Sequence, residues 1–171
     1  MTGMMRAVVL GMVLLAAPTV AQVGQAEHHT LDMAGLRALV ERGGLDVVAI
    51  ERQSIMVSDG KGFPARLSLA GCDPDGQCRV VRIYTRYVIG DSAAGHAALM
   101  EHSKNFTSAT YILTLVQEEP AVDVGRDASL ERGRTDGEVL GEIATAMSDA
   151  RLLRDALMAS DPFLRVTLGR P

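Results

Sequence analysis

Four short β-like segments follow one another between residues 47 and 88, and the brevity of the connections between them constrains the fold more than any other feature. The segments begin at Val47, Ile55, Ala65 and Val80. Parallel neighbours need crossover connections of about a dozen residues or more, whereas hairpins need only a few. Alternation of apolar and polar residues is typical of strands with one buried face. The pattern therefore predicts consecutive antiparallel hairpins that turn one face to a core.

Helical patterns precede and follow these strands. Leu31–Arg42 carries apolar residues at helical spacing, with Thr30 as the expected N-cap and Gly43 after the last turn. An alanine-rich segment that runs to about Asn105 predicts a second helix. The Asp-Ser pair that ends at Ser92 fits the N-cap of this helix.

The C-terminal half adds two strands and a long helix. Tyr111–Val116 predicts a fifth strand, and Pro120–Val124 predicts a sixth at a sheet edge because of its proline. The charged stretch 125–134 predicts a loop. Thr135 and Glu138 match a capping box that opens a third helix. The apolar face of that helix comprises Val139, Ile143, Met147, Ala150, Leu153 and Leu157. The resulting order, α-β-β-β-β-α-β-β-α, predicts one α+β domain.

The N-terminus has the pattern of a secretory signal peptide over residues 1–21. Arg6 precedes a run of apolar and small residues that ends at Pro18, and small residues precede an expected cleavage site between Ala21 and Gln22. The run is shorter than the roughly 20 apolar residues of a membrane-spanning helix. We therefore expect an exported protein, either periplasmic or secreted.

The chain that remains after signal removal is expected to have three parts. These are a flexible leader over 22–29, a single domain over 30–162 and a C-terminal tail over 163–171. The full chain has a formal net charge of −4 and no Trp. Without a basic stripe or an aromatic platform, nucleic acid is not an expected partner. No second apolar run is long enough to span a membrane, so no membrane span is expected in the mature chain.

The two cysteines of the chain, Cys72 and Cys78, lie in the segment GCDPDGQCR. Five residues separate them, which is too many for the Cys-x-x-Cys of a thiol oxidoreductase, and no histidines follow at the spacing of a zinc finger. An EF-hand loop that began at Asp73 would need a glutamate at its twelfth position, where Tyr84 stands. An even number of cysteines in an exported protein is normally oxidised. We therefore predict a Cys72–Cys78 disulfide that closes the tip of a hairpin.

A serine hydrolase is an alternative interpretation of the second helix. Ser92 and His96 are four positions apart, which puts both on one helix face, and His102 lies further along. A nucleophilic serine needs such a base and a third group that orients it, but the N-cap interpretation of the serine is favoured. The adjacent His28 and His29 are expected to be solvated rather than to bind a metal. No catalytic, metal-binding or cofactor-binding residue is predicted.

The export signal, the order of elements and the cysteine motif together resemble the YbjN family of bacterial proteins, described as candidate sensory transduction regulators, whose exported branch carries such a cysteine pair. The resemblance runs from about Leu36 to Leu157, and its clearest motif extends from Leu69 to Tyr84. It implies a fold similar to that of type III secretion chaperones, with helices packed on a curved antiparallel sheet of five to six strands. Such chaperones commonly dimerise and bind extended segments of partner proteins. Family members often carry Asn and Trp where this chain has His102–Phe106.

These features predict a non-enzymatic, exported domain that binds a protein or peptide partner in a chaperone-like or regulatory role. Homodimerisation is a further expectation, and no cofactor is expected. Two alternatives stay open at this point. One is a small envelope serine hydrolase that uses Ser92 with His96 or His102, and the other is a ligand- or metal-sensing module.

Overall fold

The computed structural model describes residues 27–89, 93–105, 109–116, 118–160 and 167–168. In chain order, its elements are β1 (Glu27–His28), α1 (Met33–Arg42), β2 (Asp46–Ile50), β3 (Ser54–Ser58), β4 (Pro64–Cys72), β5 (Cys78–Val88), α2 (Ala93–Asn105), β6 (Thr110–Val116), β7 (Glu119–Ser129), β8 (Arg134–Thr135), α3 (Asp136–Ser160) and β9 (Thr167–Leu168). The predicted α+β class and the predicted order of the long elements are confirmed. The two-residue strands β1, β8 and β9 are additions to that order.

The long strands form one open antiparallel sheet in the order β2-β3-β4-β5-β7-β6. β2 to β5 follow one another as hairpins, as their short connections predict. β7 lies between β5 and β6, which leaves β6 at an edge of the sheet. The short strand β9 pairs with the end of β5 that β4 does not reach.

The helices pack on one face of this sheet and enclose the core. β4 shows the arrangement, because Ala65, Leu67 and Leu69 are buried against the helices while Arg66 and Ser68 point to the other face. The apolar face that was predicted for the third helix is buried along one continuous helix, α3. Its members are Val139, Ile143, Met147, Ala150, Leu153 and Leu157.

Tyr87 joins the sheet to α3 at the centre of the core. Its side chain is fully buried, and its hydroxyl donates a hydrogen bond of 2.7 Å to the backbone carbonyl of Ala150. Burial raises the pKa of Tyr87 well above its ordinary value. The hydrogen bond satisfies a polar group that would otherwise be costly to bury.

Helix α1 begins two residues later than the sequence predicted. The carboxylate of Asp32 accepts a hydrogen bond of 2.7 Å from the N–H of Gly35, so Asp32 is the N-cap. Thr30 instead donates to the side chain of Gln77. Leu31 cannot join the helix because its N–H and C=O both bond to Cys78, at 2.9 Å each.

The prediction of an edge strand over 120–124 followed by a loop over 125–134 is wrong, because β7 continues to Ser129 inside the sheet. The charged residues of this part of β7 have partners on both faces of the sheet, since Arg126 pairs with Glu142 of α3 and Asp127 lies on the face opposite the helices. One of them, Asp127, pairs with Arg82 of β5. The proline is tolerated in an inner strand because it lies near the start of β7, where β5 ends.

The segment that was expected to be a flexible leader ends in a short described strand. Glu27 and His28 form β1, which pairs with β8 just before α3. The Nε2 atom of His28 lies 2.5 Å from Oδ1 of the buried Asp136, and Arg42 donates two hydrogen bonds to the other carboxylate oxygen. Burial alone would raise the pKa of Asp136, but the bonds from His28 and Arg42 outweigh it and hold that pKa below its ordinary value. Residues 22–26 and the expected signal peptide lie outside the described residues.

Candidate functional site

Strand β6 is an uncharged, apolar strand at the edge of the sheet. Its sequence is TYILTLV, and Ile112, Leu113 and Leu115 are 52%, 67% and 68% exposed. Leu113 lies directly opposite Val122, a fully buried core residue, so both point to the helix-covered face. The helical layer therefore ends before Leu113 and leaves this part of the inner face uncovered.

The backbone of β6 offers hydrogen-bonding groups to a further strand. The carbonyl of Pro120 accepts a hydrogen bond from Ile89, so Pro120 directs its backbone toward β5 and not toward its partner in β6, Leu115. Backbone groups point alternately to the two sides along an antiparallel strand. Leu115, Leu113 and Tyr111 consequently direct their N–H and C=O groups away from β7, toward the edge at which no further strand lies among the described residues.

The opposite edge of the sheet, β2, is less suited to pairing. Its register with β3 shifts between Val47 and Ala49, which leaves Val48 in a bulge, and it begins with the charged residue Asp46. Bulges and charges are common devices that prevent further pairing at an edge. The register of β6 with β7 is continuous over all seven residues of β6. Of the two edges, β6 is the one whose shape and chemistry fit an added strand.

A buried polar cluster connects α2 to β6 and α3. It consists of the buried His102 and Asp149 and the half-buried Tyr111, and the rings of His102 and Tyr111 lie edge to face with centroids 6.0 Å apart. Burial lowers the pKa of His102, although a hydrogen bond to the backbone of Asp149 and the nearby Asp149 carboxylate act in the opposite direction. Burial and the Asp149 carboxylate raise the pKa of Tyr111 to about 12. Within the described residues, the Tyr111 hydroxyl and the Oδ2 atom of Asp149 have no hydrogen-bond partner.

The face of the sheet opposite the helices carries cross-strand ion pairs. Arg82 pairs with Asp127 at 3.1 Å, and Arg86 pairs with Asp123 at 2.6 Å. The hydrogen bonds that each arginine donates to its carboxylate partner are the main reason why the pKa of that arginine is raised. Between the two pairs, a cavity of about 300 Å³ lies above Gly125. This face is therefore polar but locally neutral.

The Cys72–Cys78 disulfide is present, with its sulfur atoms 2.04 Å apart, and the two residues face each other across β4 and β5. Hydrogen bonds hold the same turn. The carboxylate of Asp73 accepts from the N–H groups of Asp75 and Gln77, at 3.0 and 2.9 Å. The disulfide therefore closes a hairpin tip that the side chain of Asp73 also stabilises.

Comparisons with known proteins identify the fold. No protein-family model matches the sequence, and no curated protein matches it. The solved structure of YbjN from E. coli, a candidate transcription regulator, superposes with a TM-score of 0.60 at 15% identity, over 78% of this chain and 95% of that one. The chain has a YbjN-like fold. An uncharacterised protein from Methanothermobacter thermautotrophicus has a TM-score of 0.51 at 9% identity, over 75% of this chain and 98% of that one. The resemblance found in the sequence is confirmed at the level of the fold.

Within the YbjN-like fold, two of the three candidate catalytic residues belong to the described part of the chain. His96 is half-buried and His102 is buried, both on α2, while Ser92 lies outside the described residues. The expected cleavage site between Ala21 and Gln22 also lies outside them. Among the described residues, no three Cys, His, Asp or Glu side chains are grouped as metal ligands would be. No described helix is long and apolar enough to cross a membrane.

Sequence reasoning missed the carboxylate that accompanies His102. Asp149 is charged and lies among the buried positions of α3, between Met147 and Ala150. Its spacing of four residues from Leu153 on the apolar face is the signal that could have indicated burial. The partner on β6, Tyr111, could not be assigned because it belongs to a separate element of the YbjN-like fold.

Proposed function

We propose that this protein is an exported, non-enzymatic domain that binds an extended segment of a partner protein along β6. The observation that carries the proposal is the open edge at Leu113, where an exposed apolar side chain coincides with outward-directed backbone groups. Strand addition uses such groups for affinity and the alternating side chains for specificity. The YbjN-like fold is compatible with a regulatory role through this contact.

An extended segment suits β6 better than a helix or a folded surface does. Tyr111, Leu113 and Leu115 each direct one N–H and one C=O to the edge, and only another extended backbone complements that alternating row. Each hydrogen bond so formed would contribute on the order of 1 kcal/mol. A flat, apolar edge that stays uncovered promotes aggregation. Occupation by a partner would remove this liability.

Two features support an oxidising compartment outside the cytoplasm. Disulfides such as Cys72–Cys78 persist mainly in exported proteins. The N-terminal 21 residues have the pattern of a signal peptide, which would leave a mature chain that begins at Gln22. A second copy of the chain is the other occupant that β6 could accept, since an uncharged strand does not repel itself.

Site-specific photo-crosslinking in the exporting cell tests the proposal. A benzophenone amino acid at Leu113 should give an adduct with another protein, whereas the same group at Leu152, an exposed position on α3, should not. The adduct should disappear when Leu115→Pro removes one edge-directed N–H, and it should persist in Met158→Ala on α3. An adduct that survives Leu115→Pro would contradict strand addition. An adduct with the mass of two copies would identify a homodimer and count against a different protein as the partner.

A further inference from the structure

The cavity on the outer face of the sheet adjoins the edge strand. Thr110 and Ile112 of β6 line one side of it, and Tyr84 of β5 lines the other. Gly125 of β7 pairs with Thr110 on one side and with Tyr84 on the other, so it stands in the middle of this row. Because glycine has no side chain, the row has a gap at its centre.

The protein cannot fill the gap with a side chain of its own at this position. A Cβ atom at residue 125 would lie 1.9 Å from the carbonyl oxygen of Ile83. The backbones of β5 and β7 approach each other so closely that glycine is required. Where a strand glycine leaves such a gap, an aromatic side chain from a neighbouring strand is the group that covers it well.

The charges around the cavity favour an uncharged occupant. Arg82 and Arg86 each bond through two nitrogens to the carboxylates of Asp127 and Asp123. The two pairs lie four residues apart on β5, about 13 Å at the rise of a strand. Each guanidinium is neutralised by its partner but keeps a planar face, which is attracted to aromatic rings.

We propose that this cavity is a side-chain subsite of the β6 binding edge and accepts a Tyr or Phe side chain of the bound segment. The inference rests on the proposed function. A segment added to β6 would lie about 5 Å from β6 and about 10 Å from β7, and aromatic side chains reach neighbours about 7–8 Å away on the same face. The ring would therefore enter the cavity from the side that β6 lines. Thr110 is small enough to let a ring pass over it toward Gly125. Ile112 supplies an apolar wall for the ring.

Two fluorescein-labelled peptides of nine residues test the subsite. Both alternate Thr and Val, and the central residue is Tyr in one and Ser in the other. Fluorescence anisotropy with the oxidised, full mature chain should show about tenfold tighter binding of the Tyr peptide. Thr110→Phe, which would fill the cavity, should abolish this preference. Thr114→Phe is the matched control, because Thr114 lies on the same face of β6 but does not line the cavity, and it should retain the preference.

Leu113→Pro separates this inference from the proposed function. The variant should weaken both peptides alike, because it removes an edge-directed N–H. If neither peptide binds the wild type, or if Leu113→Pro leaves the affinity of both peptides unchanged, strand addition itself is wrong. The subsite proposal is then wrong as well, because it rests on strand addition. If the wild type binds the Tyr and Ser peptides with equal affinity, the subsite proposal is wrong but strand addition stands. The same conclusion follows if Thr110→Phe and Thr114→Phe change the Tyr preference equally. If Leu113→Pro weakens binding of the Ser peptide but leaves binding of the Tyr peptide at its wild-type strength, the cavity binds rings independently of the edge, and it is not a subsite of β6.

Discussion

The backbone N–H of Ile89 donates a hydrogen bond of 2.8 Å to the carbonyl oxygen of Pro120. This contact fixes the direction of the backbone at the start of β7, and through the register it fixes which residues of β6 face the open edge. Pro120 has no N–H that it could donate to β5. Its carbonyl accepts from Ile89, the residue that follows β5. The direction of this hydrogen bond on an inner strand therefore indicates which backbone groups of the edge strand β6 point outward.

Proline substitutions along β6 should distinguish the two orientations. Leu113→Pro removes an N–H that points outward and should have little effect on the free energy of unfolding. Ile112→Pro removes an N–H that bonds to β7 and should cost about 2 kcal/mol more. Urea unfolding of the oxidised mature chain, followed by circular dichroism, measures the difference. Equal costs at the two positions would contradict the assigned alternation.

Loss of the disulfide should have a modest effect. The loop between Cys72 and Cys78 is short, so the double variant to Ala should lower the free energy of unfolding by about 2 kcal/mol or less. Asp73 supports the same turn with two hydrogen bonds, and Asp73→Ala in the double variant should lower it further. Chemical denaturation measures both effects. An intact mass of the wild type about 2 Da below the reduced value checks the bond itself.

Acidification should loosen α2 through His102. The pKa of this buried imidazole is lowered in the folded state, so the unfolded chain takes up a proton first as the pH falls below about 6.5. The stabilising contribution is complete above that pH and is lost progressively below it. The melting temperature should therefore fall between pH 7 and 5, and His102→Leu should reduce this fall. An unchanged pH profile in the variant would assign the effect to other groups.

The ion pairs at Asp136 should hold the N-terminal segment in place. Asp136→Asn weakens the bonds to His28 and Arg42 and should cost about 1–3 kcal/mol, because the carboxylate is buried. Hydrogen exchange at β1 should accelerate in this variant. Glu41→Gln breaks an exposed ion pair with Arg37 on α1 and should change stability by less than about 0.5 kcal/mol. Slow exchange at β1 in Asp136→Asn would show that backbone pairing alone is sufficient.

Local patterns predicted the parts of the fold that depend on neighbouring residues. The capping box at α3 is formed as the sequence indicates, since Thr135 N–H donates to Glu138 at 2.8 Å and Glu138 N–H donates to Thr135 at 3.3 Å. The strands from β2 to β5 follow from alternation and turn residues. These signals lie within a few positions of each other, so no knowledge of distant contacts is needed.

Features that depend on distant contacts were not predicted. The sequence suggested that the strand with Pro120 lies at an edge, yet β6 is the edge strand and β7 lies inside. The charges of β7 are matched by distant residues, the acidic ones by arginines of β5 and Arg126 by Glu142 of α3, which a local pattern cannot detect. The open backbone at Leu113 and the gap at Gly125 arise from strand order and register. The candidate site is thus created by the order and register of the strands, and no local sequence motif marks it.

The pairing of His28 with Asp136 spans 108 positions of the chain. Loops of that length close slowly and late, because their entropy must be lost before the contact forms. During synthesis from the N-terminus, the segment that ends at His28 stays unanchored until the start of α3 has emerged. The first described strand to be made is therefore among the last to find its partner strand.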